Sequence, residues 1–357
     1  MIKSCYIHIP FCKNICSYCD FCKMYYNKDF VDKYLLSLEK EINLYYKNEM
    51  LDTLYIGGGT PSCLNKKELE KLFDIINIFR LNKTYEFTFE CNIEDINEDL
   101  LIILKNNKVN RISIGLQSFN KKYIEFMNRK YLNKKEITNK INLVKKYFSN
   151  INIDLIYGIN NESIKHLQEE VKNFIELDVN HISLYSLILE DNTILKTKKY
   201  EEIDDDLNRK MYDYIRKTLK KNNYIHYEIS NFSKKGYSSK HNLCYWNNDN
   251  YYGFGLGASG FIENIRYTNT RSLNSYINGN YRYYEEKIDK NRNMEYEMIL
   301  NLRKIKGISK KKFYKKYNLN IKDVFDVSKL KENKYYFYIP KKYLFVENYI
   351  LSDFILD

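Results

Sequence analysis

The sequence predicts an α/β protein: six strand–helix units forming a partial barrel, followed by a smaller, mainly helical C-terminal domain. Two observations carry this. Short apolar runs alternate with amphipathic stretches at spacings of about 30 to 50 residues, the pattern of a parallel sheet covered by helices. The residues with unusual chemistry, among them a cysteine triplet, a glycine triplet, Glu90, Gln117 and Asp154, fall at or near the downstream ends of different strands. Parallel α/β proteins gather chemistry at that edge, where loops converge, which favours a barrel-like sheet over an open one.

The elements follow in order. Cys5-Tyr6-Ile7-His8-Ile9 reads as a strand stopped by Pro10, which has no N–H to give a sheet. A helix is expected from Asp29, its cap, to Lys47, because Phe30, Tyr34, Leu35, Leu38, Ile42 and Tyr45 recur at helical steps. Strands are expected at 52–56, 85–92, 111–114, 151–158 and 181–187. Helices are expected at 66–79, 98–106, one or more up to Tyr147, 163–177 and 204–221. A seventh strand is placed at 224–230, then a loop bearing His241-Asn242-Leu243-Cys244-Tyr245-Trp246. Composition changes near Glu263, with more Tyr and Lys, so the domains are divided as 1–262 and 263–357. In the second, helices are expected at 295–304 and 309–317, and a hairpin around Pro340.

A chain of 357 residues can bury a large core. Its eight cysteines are sparse and follow no leader pattern, since Met1-Ile2-Lys3-Ser4 runs straight into the first strand. That fits the reducing cytoplasm better than a secreted disulfide scaffold. No run approaches the ~20 apolar residues of a membrane span, which leaves only transient membrane association. The net charge of +12 raises the possibility of a nucleic-acid partner. Lysines are spread along the whole chain beside many Asn, Ile and Tyr, however, so the charge reads as compositional bias and not as a basic patch. Oligomeric state is not legible.

The informative stretch is Cys12-Lys-Asn-Ile-Cys16-Ser-Tyr-Cys19-Asp20-Phe21. Three thiols on one loop can converge on iron–sulfur or zinc. Three ligands leave one metal position open for chemistry. Cys22 as a fourth ligand would instead close a zinc site. Gly57-Gly58-Gly59-Thr60-Pro61 exposes backbone at a strand end, although it matches neither a Rossmann fingerprint nor a P-loop. Glu90 and Asp154 lie on otherwise apolar strands, where a carboxylate is costly to bury unless partnered. Arg129, taken alone, reads as a surface charge. His241 sits beside the chain's only tryptophan, and imidazole is a usual axial ligand of haem iron.

These motifs resemble the radical S-adenosylmethionine superfamily. Within it the chain is similar to the oxygen-independent coproporphyrinogen III oxidase family, especially its HemW haem-chaperone branch. The likeness spans about residues 3 to 260. Tyr6-Ile-His-Ile-Pro-Phe-Cys12, the cysteine triplet, Gly57-Gly-Gly-Thr-Pro61, Arg111-Ile-Ser-Ile-Gly-Leu-Gln-Ser-Phe119, Asp154-Leu-Ile-Tyr-Gly158 and His241-Asn-x-x-Tyr-Trp246 recur in order. The resemblance implies a [4Fe-4S] cluster on Cys12, Cys16 and Cys19, with S-adenosylmethionine on the fourth iron. It implies that Tyr6, Gly58 and Glu90 contact that molecule. It implies further that Tyr18, Gly59, Thr60, Gln117, Arg129 and Asp154 line a neighbouring pocket, where the oxidase binds a second S-adenosylmethionine. In such proteins the reduced cluster cleaves the sulfonium to a 5′-deoxyadenosyl radical.

Three departures select the branch. The oxidase carries an extra cysteine two residues after the third ligand, where this chain has Phe21. The oxidase also has an N-terminal extension. The His-Asn-x-x-Tyr-Trp motif belongs to the chaperone branch, which binds haem. The resemblance therefore implies a haem chaperone that holds haem near His241 and delivers it to haem-dependent respiratory proteins. The rivals are oxidative decarboxylation of coproporphyrinogen III and a radical enzyme acting on RNA.

Overall fold

The computed structural model describes residues 1–356. Six strands lie parallel and adjacent in sequence order: β1 (Ser4–Ile9), β2 (Met50–Gly58), β3 (Arg80–Asn92), β4 (Arg111–Gln117), β5 (Ile151–Tyr157) and β6 (His181–Ser186). Their connections carry α1 (Lys28–Tyr45), α2 (Lys66–Ile76), α3 (Glu98–Asn106), α4 (Lys121–Phe126), α5 (Lys134–Tyr147) and α6 (Ile164–Glu176), with α7 (Asp205–Lys221) after β6. This is the predicted partial barrel. Its strands read as continuous apolar runs because helices cover one face and the barrel interior the other. Ile7, Ile9, Ile56, Phe89, Ile112, Ile114 and Ile153 are all fully or almost fully buried.

Local chemistry sets the helix ends. Asn65 and Glu68 form a reciprocal capping box at the start of α2, as do Asn133 and Glu136 at α5. α1 buries Val31, Tyr34, Leu35, Leu38 and Ile42, one stripe at three- and four-residue steps. Its cap is Asn27, whose side chain accepts from the N–H groups of Asp29 and Phe30. Asp29, the expected cap, lies in the first turn. β3 begins at Arg80, earlier than expected, because its first residues pair with β2 while staying largely exposed, so no apolar alternation marks them.

The sheet extends beyond the barrel at both ends. β7 (Ile225–Glu228) pairs antiparallel with β8 (Asn231–Ser233), which pairs antiparallel with β6. The expected loop at 241–246 is a helix, α8 (Lys240–Trp246), capped by Ser239. β9 (Tyr251–Phe254) then pairs parallel to β1 on its free side. β10 (Ser259–Ile262), β11 (Ile265–Asn269) and β12 (Arg282–Lys287) continue antiparallel. The result is a twelve-stranded sheet in the order β12-β11-β10-β9-β1-β2-β3-β4-β5-β6-β8-β7. The 262/263 division drawn from composition falls between two paired strands, so hydrogen bonding crosses it. Composition changes there because β11 and β12 lie toward the edge of the sheet, where polar and aromatic side chains replace the buried apolar run.

Beyond the sheet, α9 (Lys290–Leu302) and α10 (Lys310–Tyr317) pack with a small sheet made by 308–309, 331–332 and 336–338. The expected hairpin at Pro340 is absent among the described residues. Tyr336–Tyr338 pairs backwards with Lys331–Glu332 and with Ile308–Ser309, and Lys341–Val346 winds into a 3₁₀ helix after the proline. Among the described residues no helix is long and apolar enough to cross a membrane.

Candidate cofactor site

A cavity of about 350 Å³ opens at the downstream edge of the six parallel strands. Every strand contributes to it through its last residues or the loop that follows. The cysteine loop leaves β1 and is tied down from several sides. Tyr26 N–H donates to the Cys12 carbonyl at 2.8 Å, Ser17 N–H to the Met127 carbonyl at 3.1 Å, and the Asn128 amide to the Ile15 carbonyl at 2.8 Å. Cys12, Cys16 and Cys19 all face the cavity, and all are free thiols. Cys12 is buried and accepts from Thr60 Oγ1 at 3.4 Å. Burial pushes its thiol up to about 11, with Thr60 opposing and the nearby Cys16 and Cys19 adding to the rise.

The trio fits the cluster that the resemblance implies. Gly59 clears the space behind it: a Cβ there would stand 2.8 Å from Cys12 Sγ. Among the described residues no group of three Cys, His, Asp or Glu is arranged to hold a single ion. Cys22 does not border the cavity. A Cβ on Gly257 would sit 2.5 Å from Cys22 Cβ, and the Cys22 carbonyl lies 2.6 Å from His8 Nε2. Its side chain packs with the hydrophobic core.

Facing the cysteines is a wall of polar groups. Gly58 adopts φ +122°, open only to glycine without strain, and its N–H donates to Glu90 Oε2 at 3.1 Å. Tyr55 donates to Glu90 Oε1 at 2.6 Å. Burial lifts the Glu90 carboxyl to about 7, opposed by the Tyr55 bond and reinforced by Asp154. Burial also raises Asp154, which accepts from the Asn152 amide at 2.8 Å. Gln117 ends β4 at φ +68°, an uncommon conformation for a side chain of its size, and its buried Oε1 has no protein partner.

Arg129 is not the surface charge that its sequence context suggests. Its side chain is 5 % exposed and donates to Asn92 Oδ1 at 2.9 Å, the Gly115 carbonyl at 3.0 Å and Glu94 Oε2 at 3.3 Å. Burial works against its charge, but Tyr18, Glu94 and Cys16 outweigh burial and the net direction is upward. Tyr18 and Thr60 border the same cavity. Tyr6 does not; it stands behind the wall, its hydroxyl 2.9 Å from His8 Nδ1.

His241 is a second sequence-singled residue, after Tyr6, that does not border the cavity. It is 1 % exposed, with Nδ1 2.8 Å from Thr53 Oγ1 and Nε2 2.7 Å from the Tyr245 hydroxyl. Burial takes its basicity down to about 3, so the ring is neutral. Neither nitrogen is free for iron in this arrangement. Sequence reasoning also passed over Tyr55, Arg111 and Asn242, which all border the cavity. Tyr55 could have been found from its place two residues before the glycine triplet. Arg111 opens β4, where an arginine reads as a solvated strand end, yet it is buried with its Nε unpartnered.

An incomplete parallel barrel with three thiols at its mouth defines a radical S-adenosylmethionine protein. Residues 6–173 match the Radical SAM superfamily model. The chain is 39% identical over 331 residues to "Heme chaperone HemW" of Lactococcus lactis, covering 90% of this chain and 87% of that protein. It is 37% identical over 338 residues to "Heme chaperone HemW" of Bacillus subtilis, covering 91% and 89%. The chain belongs to the HemW branch of the superfamily. Its fold also matches the solved structure of coproporphyrinogen III oxidase (HemN) from Escherichia coli, described as a radical SAM enzyme, with TM-score 0.86 and 20% identity over 99% of this chain and 90% of that one.

Proposed function

We propose that this protein is a haem chaperone that carries a [4Fe-4S] cluster on Cys12, Cys16 and Cys19. S-adenosylmethionine occupies the cavity against the cluster, and haem is bound and passed to haem-dependent respiratory proteins in the cytoplasm. The observation that carries the reading is the convergence of three free thiols with Glu90, Gln117, Arg129 and Asp154 on one cavity. Relatives at 37 to 39% identity bearing the name heme chaperone support the haem part.

When bound, the cluster supplies one electron for cleaving a sulfonium, and the cofactor carries that hard step. The chain's residues position and enclose. Gly58 and Gly59 let the ligand approach the backbone closely, and Thr60 orients Cys12. Glu90 and Asp154 accept hydrogen bonds, while Arg129 holds Asn92 and the end of β4 in place. About 350 Å³ suits one drug-sized ligand such as S-adenosylmethionine and is small for a whole macrocycle beside it. At the mouth stand two apolar side chains, Phe21 at 63 % and Ile188 at 61 % exposure, which suit the flat face of a haem resting on the rim.

Anaerobic reconstitution tests the reading. The expected product holds about four iron and four sulfide per chain, binds S-adenosylmethionine, and shows a haem absorption band that decays as an apo-acceptor gains it. Zinc in place of iron, or no haem uptake, overturns it. Protoporphyrinogen formed from coproporphyrinogen III under the same conditions replaces it with the oxidase reading.

A further inference from the structure

The helix carrying His241 has a use that axial ligation would destroy. α8 packs against β2, and its N-terminal end is anchored by one carboxylate: the N–H groups of Lys240 and His241 donate to Glu86 Oε2 and Oε1, each at 3.0 Å. Ser239 Oγ, 3.3 Å from Glu86 Oε1, caps the helix by accepting from Asn242 N–H at 3.2 Å. The imidazole is then fixed at both nitrogens by Thr53 and Tyr245. Against its face lies the Tyr55 ring, with centroids 5.0 Å apart and planes 31° from parallel. The Tyr6 ring approaches at 6.4 Å. Tyr55 is the residue that holds Glu90, and Glu90 in turn holds Gly58 N–H.

The next residue completes the picture. Asn242 borders the cavity, and its amide has no hydrogen-bond partner among the described residues. A primary amide carries two donors and two acceptor sites, so a cavity-facing one with no protein partner is equipped to bind a ligand.

We infer that His241 is a positioning residue of the cavity: it fixes Tyr55, and through Tyr55 the Glu90 carboxylate, while its own helix presents the Asn242 amide to the bound ligand. The inference rests on the reading that the cavity seats S-adenosylmethionine. For His241 to reach haem iron, the ring would have to give up Thr53 or Tyr245 and move past Tyr55 or Tyr6.

The test is equilibrium binding of S-adenosylmethionine to anaerobically reconstituted protein, with each variant matched for iron content. His241→Ala and Tyr55→Phe are each expected to weaken binding about tenfold, the worth of one hydrogen bond to a charged acceptor. Because both act through Glu90, the double variant is expected to be no worse than the weaker single one, within about twofold. Asn242→Ala is expected to weaken binding at unchanged melting temperature. The haem absorption band is expected to be the same in His241→Ala as in the wild type. If His241→Ala fails to fold, Tyr245→Phe takes its place, since it removes one ring partner by deleting a single oxygen atom.

Unchanged affinity in the His241 or Tyr245 variant overturns the inference, as do losses that multiply independently in the double variant. Loss of the haem band with S-adenosylmethionine affinity retained overturns it in favour of axial ligation. A wild-type protein that binds no S-adenosylmethionine overturns the cavity reading itself, which separates the two failures.

Discussion

Replacing Gly59 by alanine is expected to cost the protein its cluster before it costs the fold. An added Cβ would lie 2.8 Å from Cys12 Sγ and 2.8 Å from both the carbonyl carbon and the oxygen of Pro10. Nonbonded carbon contacts are most favourable at about 3.5–4.0 Å, so the overlap is roughly an ångström on both sides. The Pro10 atoms are backbone and cannot swing aside. Gly59 donates its N–H to the Ile9 carbonyl at 2.9 Å, so it cannot retreat freely either. The Cys12 thiol must move. Overpacking of this kind costs about 1–3 kcal/mol. Gly236→Ala is the matched control, because Gly236 has φ +89° and nothing within 4 Å of a new Cβ. Left-handed strain there costs about 1–2 kcal/mol, a similar loss of stability reached without touching a thiol. The assay is iron content after anaerobic reconstitution, read beside the melting temperature. Gly59→Ala should lose most of its iron while Gly236→Ala keeps it. Equal iron in the two would refute the crowding argument, and full iron in Gly59→Ala would refute it outright.

Other outcomes follow from the same geometry. Glu41 is buried on α1 and accepts from Gly255 N–H at 2.8 Å, Asn269 Nδ2 at 2.6 Å and the Tyr276 hydroxyl at 2.6 Å. Burial outweighs these bonds and lifts its carboxyl from 4.5 to about 7. The folded state therefore holds a proton that the unfolded state has released, and stability from this group falls as pH rises from about 4.5 to 7. Glu41→Gln should flatten that part of a denaturant-midpoint-versus-pH curve, and an unchanged slope would refute the assignment. Asn27→Ala should lower stability by about 1 kcal/mol, as loss of a cap does. Asp29→Ala should cost only a few tenths, because a first-turn acid acts through the helix dipole alone; chemical denaturation of the pair decides it. Arg129→Leu should destabilise by roughly 3 kcal/mol, the low end for removing one partner of a buried pair, since it strands Glu94 and Asn92 beside a partly buried gap. Calorimetry showing no change would place Arg129 at the surface after all.

The barrel was legible because its strands and helices obey local rules. Burial on both sides makes β1, β2 and β4 continuous apolar runs, and the periodicity of α1 and α3 follows from having one covered face. The cysteine loop was legible because three ligands within eight residues must meet wherever that loop goes. Arg129 and His241 were not. Arg129 is polar on a short connection, and only the arrival of Asn92 and Glu94 from another strand end makes its burial favourable. His241 was assigned a loop because six residues with no apolar stripe give no helical signal. Its helix is capped by Ser239 and anchored further by Glu86, 155 positions earlier on β3. The strands β11 and β12 escaped for a related reason, since edge strands show weak alternation and are recognised by the partner they pair with.

Taken alone, the order of residues determined the covalent proximity of Cys12, Cys16 and Cys19, the glycines that leave the backbone bare, and the alternation that makes a parallel sheet. Folding decided the rest: which side chains from distant strands share the cavity, that Cys22 turns into the core, and that His241 is locked between Thr53 and Tyr245. Periodicity and spacing act over a few residues and are written along the chain. Burial, partner choice and the charge state of a carboxyl depend on what the other strands bring to the same point, and no local pattern encodes that.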